Sequence, residues 1–174
     1  MTKATILGAV AMLAFAGVPA QSATPAAMIE DALSAAPPAV SAAATVMTGD
    51  GKVLRQGTNG WTCMPDDPST PGSDPMCLDK NGLAWAIAVM GHKTPPVGAI
   101  GMAYMLKGGS DSSNTDPYAK GSAGHWITTG PHVMILSADA ARESGYPGGT
   151  NPDTTKPSVM FEGTPYAHIM LPVK

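Results

Sequence analysis

"GPHVMIL", residues 130–136, and "YAHIMLP", residues 166–172, decide how this chain is built. In the first stretch His132, Met134 and Leu136 share one side of an extended backbone and Val133 and Ile135 share the other, because successive side chains of a strand point to opposite faces. Both sets are largely apolar, the pattern of a strand covered on two sides. The second stretch repeats the arrangement, with His168 and Met170 on one face.

Working outward, "HWITT" before the Gly130-Pro131 break reads as another short strand. "VMFEGTPYAHIMLPV" reads as two strand-like runs split by Gly163, Thr164 and Pro165. In "VGAIGMAYML", residues 97–106, Ile100, Met102 and Tyr104 alternate with Gly101, Ala103 and Met105, a strand whose small-residue side lies against another element. Further upstream, two β-prone runs flank Gly49-Asp50-Gly51, a hairpin signal, and the second continues toward Trp61 and Cys63.

Two segments carry helical spacing instead. In "PAAMIEDALSAAP", Met28, Ile29 and Leu33 fall on one side, Glu30 and Asp31 sit in the early turns, and Pro37 and Pro38 end a helix expected over about Ala26 to Ala35. "LDKNGLAWAIAVMGH" places Leu83, Ile87 and Met90 at helical spacing, with Asp79 or Asn81 as its cap. Residues 107–124 and 143–158 read as long loops. The composite is an α+β domain: an antiparallel β-sheet with one or two helices packed on one face, long Gly/Pro-rich loops and one disulfide.

The N-terminus has one early Lys, an apolar run from Ile6 to Val18 and then small residues, the pattern of a secretory signal peptide. Cleavage after Ala20 or Ala23 satisfies the small-residue rule, and Ala23 is preferred, giving a leader over residues 1–23 and one globular domain over residues 24–174. The apolar run is about a dozen residues, short of the roughly 20 a spanning helix needs. No stable membrane insertion is therefore expected after cleavage, and the mature protein is expected in the periplasm or outside the cell. A formal net charge of -3 with scattered basic residues gives no cationic stripe, so nucleic acid is not an expected partner.

Cys63 and Cys77 bracket "MPDDPSTPGSDPM" in a chain expected to leave the cytoplasm, and the simplest reading is a disulfide. They lack the Cys-x-x-Cys spacing usual in redox pairs. Asp66, Asp67 and Asp74 between them offer carboxylates to a hard cation such as calcium, although a solvated, Pro-stiffened loop explains them more simply. Asp111, Ser113 and Asp116 imitate part of a calcium loop but lack the Gly and the distal Glu of an EF-hand. A hydrogen-bonded Asx-rich loop fits them better.

The strings "GTNGWTCMPD", "DPMCLD", "SNTDP", "GPHVMI" and "GTPYAHIMLPV" together resemble a group of exported bacterial hypothetical proteins without an assigned activity. The resemblance spans nearly all of the mature chain. It implies export and a single domain, and it transfers no catalytic residue.

Three of the four histidines have a Met two positions away: Met90 with His92, His132 with Met134 and His168 with Met170. On a strand, positions i and i+2 face the same way, so His132, Met134, His168 and Met170 present imidazole and thioether ligands that suit copper, thioethers favouring the reduced ion. Periplasmic copper chaperones share the terminal His-x-Met but carry another Met upstream, where this chain has Gly145 and Tyr146. The plainer account makes His132 and His168 hydrogen-bonded residues of a buried sheet. Met90 and His92 fall on a predicted helix, where residues two apart do not face each other. No G-x-S-x-G nucleophile elbow supports a hydrolase, and no catalytic residue is assigned. The sequence thus reads as an exported, non-catalytic binding or structural module of the bacterial envelope that requires no cofactor. Copper binding through His and Met is the alternative, and a small hydrolase the third reading.

Overall fold

The computed structural model describes residues 23–121 and 126–173. The expected leader, apart from its last residue, lies outside them. Strands β1 (Thr45–Met47), β2 (Val53–Arg55), β3 (Thr62–Met64), β4 (Met76–Leu78), β5 (Gly101–Met105), β8 (His132–Leu136), β9 (Ser158–Met160) and β10 (His168–Pro172) form one sheet in the order β2-β1-β3-β4-β5-β8-β10-β9. Its pairings are antiparallel except for β1 with β3. A separate two-stranded sheet joins β6 (Gly109–Asp111) to β7 (Ile127–Thr129). The expected α+β architecture is therefore the observed one.

Because β8 is apolar on both sides, both faces of the sheet need cover. On one face, α3 (Lys80–Met90) packs Leu83, Trp85 and Ala86 against Leu78, Ala103, Met134 and Leu136. On the other, α4 (Ala138–Ser144) covers Ile135, Val159 and Ile169, and α1 (Pro25–Leu33) covers Val46, Cys63, Cys77 and Tyr104. Helices thus lie on both faces, whereas the sequence suggested a helix or two on one. α1 ends at Leu33, before the proline pair expected to stop it, and that pair instead opens a short α2 (Pro38–Ser41), with Pro37 as its N-cap.

The inward stripe of α3 differs from the one its apolar residues suggest. Ile87 and Met90 are both 53% exposed, whereas Gly82, Ala86 and Ala88 are buried. The cause lies in β5: a Cβ on Gly101 would stand 2.5 Å from the Gly82 nitrogen, so helix and strand meet backbone to backbone and only small residues fit between them. Asp79 secures this contact. Its carboxylate accepts from the Gly82 N–H at 2.6 Å as the helix N-cap and from the Met102 N–H of β5 at 3.1 Å. Asp79→Ala removes both bonds and is expected to destabilise the protein by about 1–2 kcal/mol, read as a lower thermal midpoint. An unchanged midpoint would show that α3 is held without its cap.

The disulfide joins Cys63 and Cys77, which are Cα partners in the β3–β4 ladder and fully buried beneath α1. Closing this loop stabilises the fold by roughly 3 kcal/mol through the unfolded chain. The β9 edge is closed by Asn114, whose Nδ2 donates to the Val159 carbonyl at 3.1 Å and whose carbonyl accepts from the Phe161 N–H at 2.7 Å.

Candidate functional site

β8 and β10 are neighbours, and their register sets Met134 directly opposite Met170. His132 stands opposite Pro172, so His168 lies four positions along from it, about 13 Å in strand length. The structure therefore brings Met134 and Met170 together and holds the two imidazoles toward opposite ends of one sheet face.

Both imidazoles are buried, His132 at 1% and His168 at 2% exposure. Each donates from Nδ1 to the main-chain carbonyl two residues earlier, His132 to Gly130 at 2.7 Å and His168 to Tyr166 at 3.0 Å. That assignment leaves Nε2 as the nitrogen with the free lone pair. His168 is boxed by Trp85 and Phe161, whose rings meet it edge-on at centroid distances of 5.1 and 5.4 Å. Burial pushes its basicity down to about 4, against the opposing hydrogen bond to Tyr166 and with a small contribution from the charge His132 would carry. Burial likewise lowers His132, again opposed by its carbonyl partner. Both rings are neutral at neutral pH, as a metal ligand or a hydrogen-bond acceptor must be.

The face they share lines a cavity of about 310 Å³ beneath α3, and seven of its lining residues are methionines. This set is larger than the four residues the sequence singled out. Met64 pairs with Met76 across β3 and β4, and Met105 pairs with His132 across β5 and β8. The β4–β5 register sets Cys77 against Tyr104, and carrying that antiparallel register one residue beyond the paired positions puts Met76 across from Met105. Three thioethers and an imidazole thus stand in a row on four adjacent strands. At the other end, Met160 is the cross-strand partner of His168.

Two residues that line the cavity each hold a buried ring nitrogen without a hydrogen-bond partner: the His132 Nε2, an acceptor, and the Trp85 Nε1, a donor. The wall also holds Asp67, Asp74 and Asp111, and Asp74 stands near His132, both lying within 4 Å of the place a Cβ on Gly109 would take. Burial, then the neighbouring Asp74 charge, raises the Asp111 carboxyl to about 6. The loop carboxylates are also structural. Asp66 accepts from the Asp74 N–H at 2.7 Å, and Asp74 accepts from the Asp67 N–H at 3.1 Å and the Thr70 hydroxyl at 2.5 Å. These bonds tie down the Pro-stiffened loop expected over residues 66–74. In the second acidic stretch Ser113 and Asp116 likewise bond to nearby backbone, Asp116 accepting from the Tyr118 N–H at 2.9 Å.

Among the described residues, no group of three His, Cys, Asp or Glu side chains is placed to hold a metal ion. A metal in this cavity would have to rest on thioether sulfur. Met90 and His92 part company: Met90 reaches the cavity wall from the end of α3, while His92 stacks on Tyr118 at 3.9 Å. No helix among the described residues is long and apolar enough to cross a membrane. Comparison with protein-family profiles, with curated proteins and with solved structures returned no match.

Proposed function

We propose that this is an exported, non-catalytic binding protein of the bacterial envelope, and that its ligand enters the methionine-lined cavity beneath α3. Support for export comes from the leader-like N-terminus, the resemblance to exported proteins and the buried disulfide, which suits an oxidising compartment.

The observation that carries the binding reading is that two residues lining one cavity, His132 and Trp85, each hold a buried ring nitrogen without a hydrogen-bond partner. Leaving a buried polar group unsatisfied costs about 1–3 kcal/mol, and a ligand that engages it recovers that free energy. Methionine walls favour such a role, since unbranched thioether side chains adapt to what they enclose. The histidine hydrogen bonds run to main-chain carbonyls rather than to a carboxylate or hydroxyl, so no nucleophile and base pair is formed there. That arrangement favours binding over hydrolysis.

Indole is a suitable probe: small, neutral, and carrying one N–H for the His132 Nε2. At millimolar concentration it is expected to raise the thermal midpoint of the wild-type protein by mass action. Ala86→Phe, which fills the cavity from α3, is expected to abolish the shift. Equal shifts in both proteins, or none in either, would sink this reading.

A further inference from the structure

We infer that the row Met64, Met76, Met105 and His132 is a cuprous-ion site, with the His132 Nε2 and the thioether sulfurs of Met76 and Met105 as its nearest ligands and Met64 beside them. The inference rests on the reading of the cavity as a binding site and names what it binds.

Four observations converge on it. First, the register places the four residues on successive hydrogen-bonded strands, each about 4.8 Å from the next, on the cavity side of the sheet. Second, the β5 and β8 members of the row, Met105 and His132, close around one point. A methyl placed on Gly109 would lie 2.9 Å from the Met105 Cε, 3.7 Å from the Asp74 Cβ and 3.8 Å from the His132 Cε1. Third, the His132 Nε2 is buried and unpartnered, and the hydrogen bond from Nδ1 to the Gly130 carbonyl fixes the ring orientation and enriches the free nitrogen, as backbone partners of metal-bound histidines do. Fourth, Asp74 and Asp111 give this end of the cavity a field that attracts a cation, while the donors at its centre are soft.

Thioether with imidazole is the donor set that selects cuprous copper over hard cations such as calcium or magnesium. It is also a poor set for zinc, which takes thiolate, imidazole and carboxylate. Met90, half-exposed at the end of α3 and lining the same cavity, gives the ion a thioether contact on its way in from the surface. His168 stands apart, between Trp85 and Phe161, and is not assigned as a ligand.

The test uses the mature chain with its disulfide intact, titrated anaerobically with Cu(I) kept reduced by ascorbate, in competition with bicinchoninate. One Cu(I) per chain is expected. Met105→Leu and Met76→Leu conserve volume and should fold, and each is expected to weaken binding by about 100-fold. Met160→Leu, beside His168, is expected to bind like the wild type. X-ray absorption at the copper edge should show sulfur with one nitrogen.

Copper left entirely with the competitor overturns the proposal, as does equal Cu(I) affinity in wild type and Met105→Leu. Loss on Met160→Leu as large as on Met105→Leu overturns the ligand set by moving the ion to His168. Zinc(II) binding as tight as Cu(I) overturns thioether coordination in favour of imidazole and carboxylate. A protein that shows the indole shift but takes no Cu(I) retains its cavity function and loses this assignment; one that shows neither loses both.

Discussion

Gly101→Ala is expected to destabilise the protein by about 3 kcal/mol or more, read as a lower denaturant midpoint with an unchanged slope. The new Cβ would stand 2.5 Å from the Gly82 nitrogen, 2.6 Å from the Gly82 Cα and 2.9 Å from the Asn81 carbonyl carbon. Every one of these atoms is main chain, so no side chain can rotate to make room. Overpacking usually costs about 1–3 kcal/mol when side chains absorb it; here α3 itself must lift from β5. That movement strains the Asp79 carboxylate bridge to the Met102 N–H and loosens Leu83 and Ala86 from the core. Gly130→Ala is the matched control, because a methyl there meets nothing within 4 Å and the residue is not in the left-handed region. Equal midpoints for the two variants would mean that α3 is not seated on β5 as described.

The same contact shows what could be read before the structure. Alternation identified β5, and its glycine and alanine side announced a close neighbour. The identity of that neighbour was not legible, because it depends on a second glycine, Gly82, inside a segment whose apolar residues point elsewhere. The helix therefore seemed to bury Ile87 and Met90, which are exposed. The α4 helix also escaped notice: it is only seven residues long, and its signals are local, a Ser137 cap bonded to the Ala140 N–H and Gly145 in the left-handed region. β1 and β3 pair in parallel, a non-local choice that no local pattern encodes.

At the site, the spacing of His132 with Met134 and His168 with Met170 correctly placed all four side chains on strand faces, and the pairing of β8 with β10 put those faces together. What spacing alone does not fix is register, and register separates the two imidazoles. Met105, Met76 and Met64 were passed over, although one signal pointed to two of them. Met64 follows Cys63 and Met76 precedes Cys77, so a disulfide across an antiparallel pair obliges the two methionines to meet on the opposite face.

Acid is expected to destabilise Asp111→Asn far more than the wild type between pH 6.5 and pH 4. His168 carries the effect. Its imidazole ionises near 6.5 in the unfolded chain and is pushed down to about 4 in the folded one. Above pH 6.5 both states are neutral and its contribution to stability is fully present. As the pH falls the unfolded chain takes the proton first, so stability is lost at about 1.4 kcal/mol per pH unit until the folded imidazole also titrates, about 3 kcal/mol in all. His132, lowered by the same burial, acts in the same direction. Asp111 acts in the opposite one. Raised from 3.8 to about 6, its folded carboxyl takes the proton before the unfolded one does, so acidification favours the folded state across that window. Because water still reaches part of the residue, its contribution is about 1–2 kcal/mol. In the wild type the two trends offset each other over nearly the same pH range, which makes its stability curve flatter than either group alone would give. Asn cannot ionise, so the variant is expected to be more stable than the wild type at pH 7 and to show the histidine loss uncovered. Urea denaturation at pH 7, 5.5 and 4.5 measures both slopes. Parallel curves for the two proteins would mean that Asp111 is not held among the cavity carboxylates, and a flat curve for the variant would mean that the His168 imidazole takes its proton in water rather than between Trp85 and Phe161.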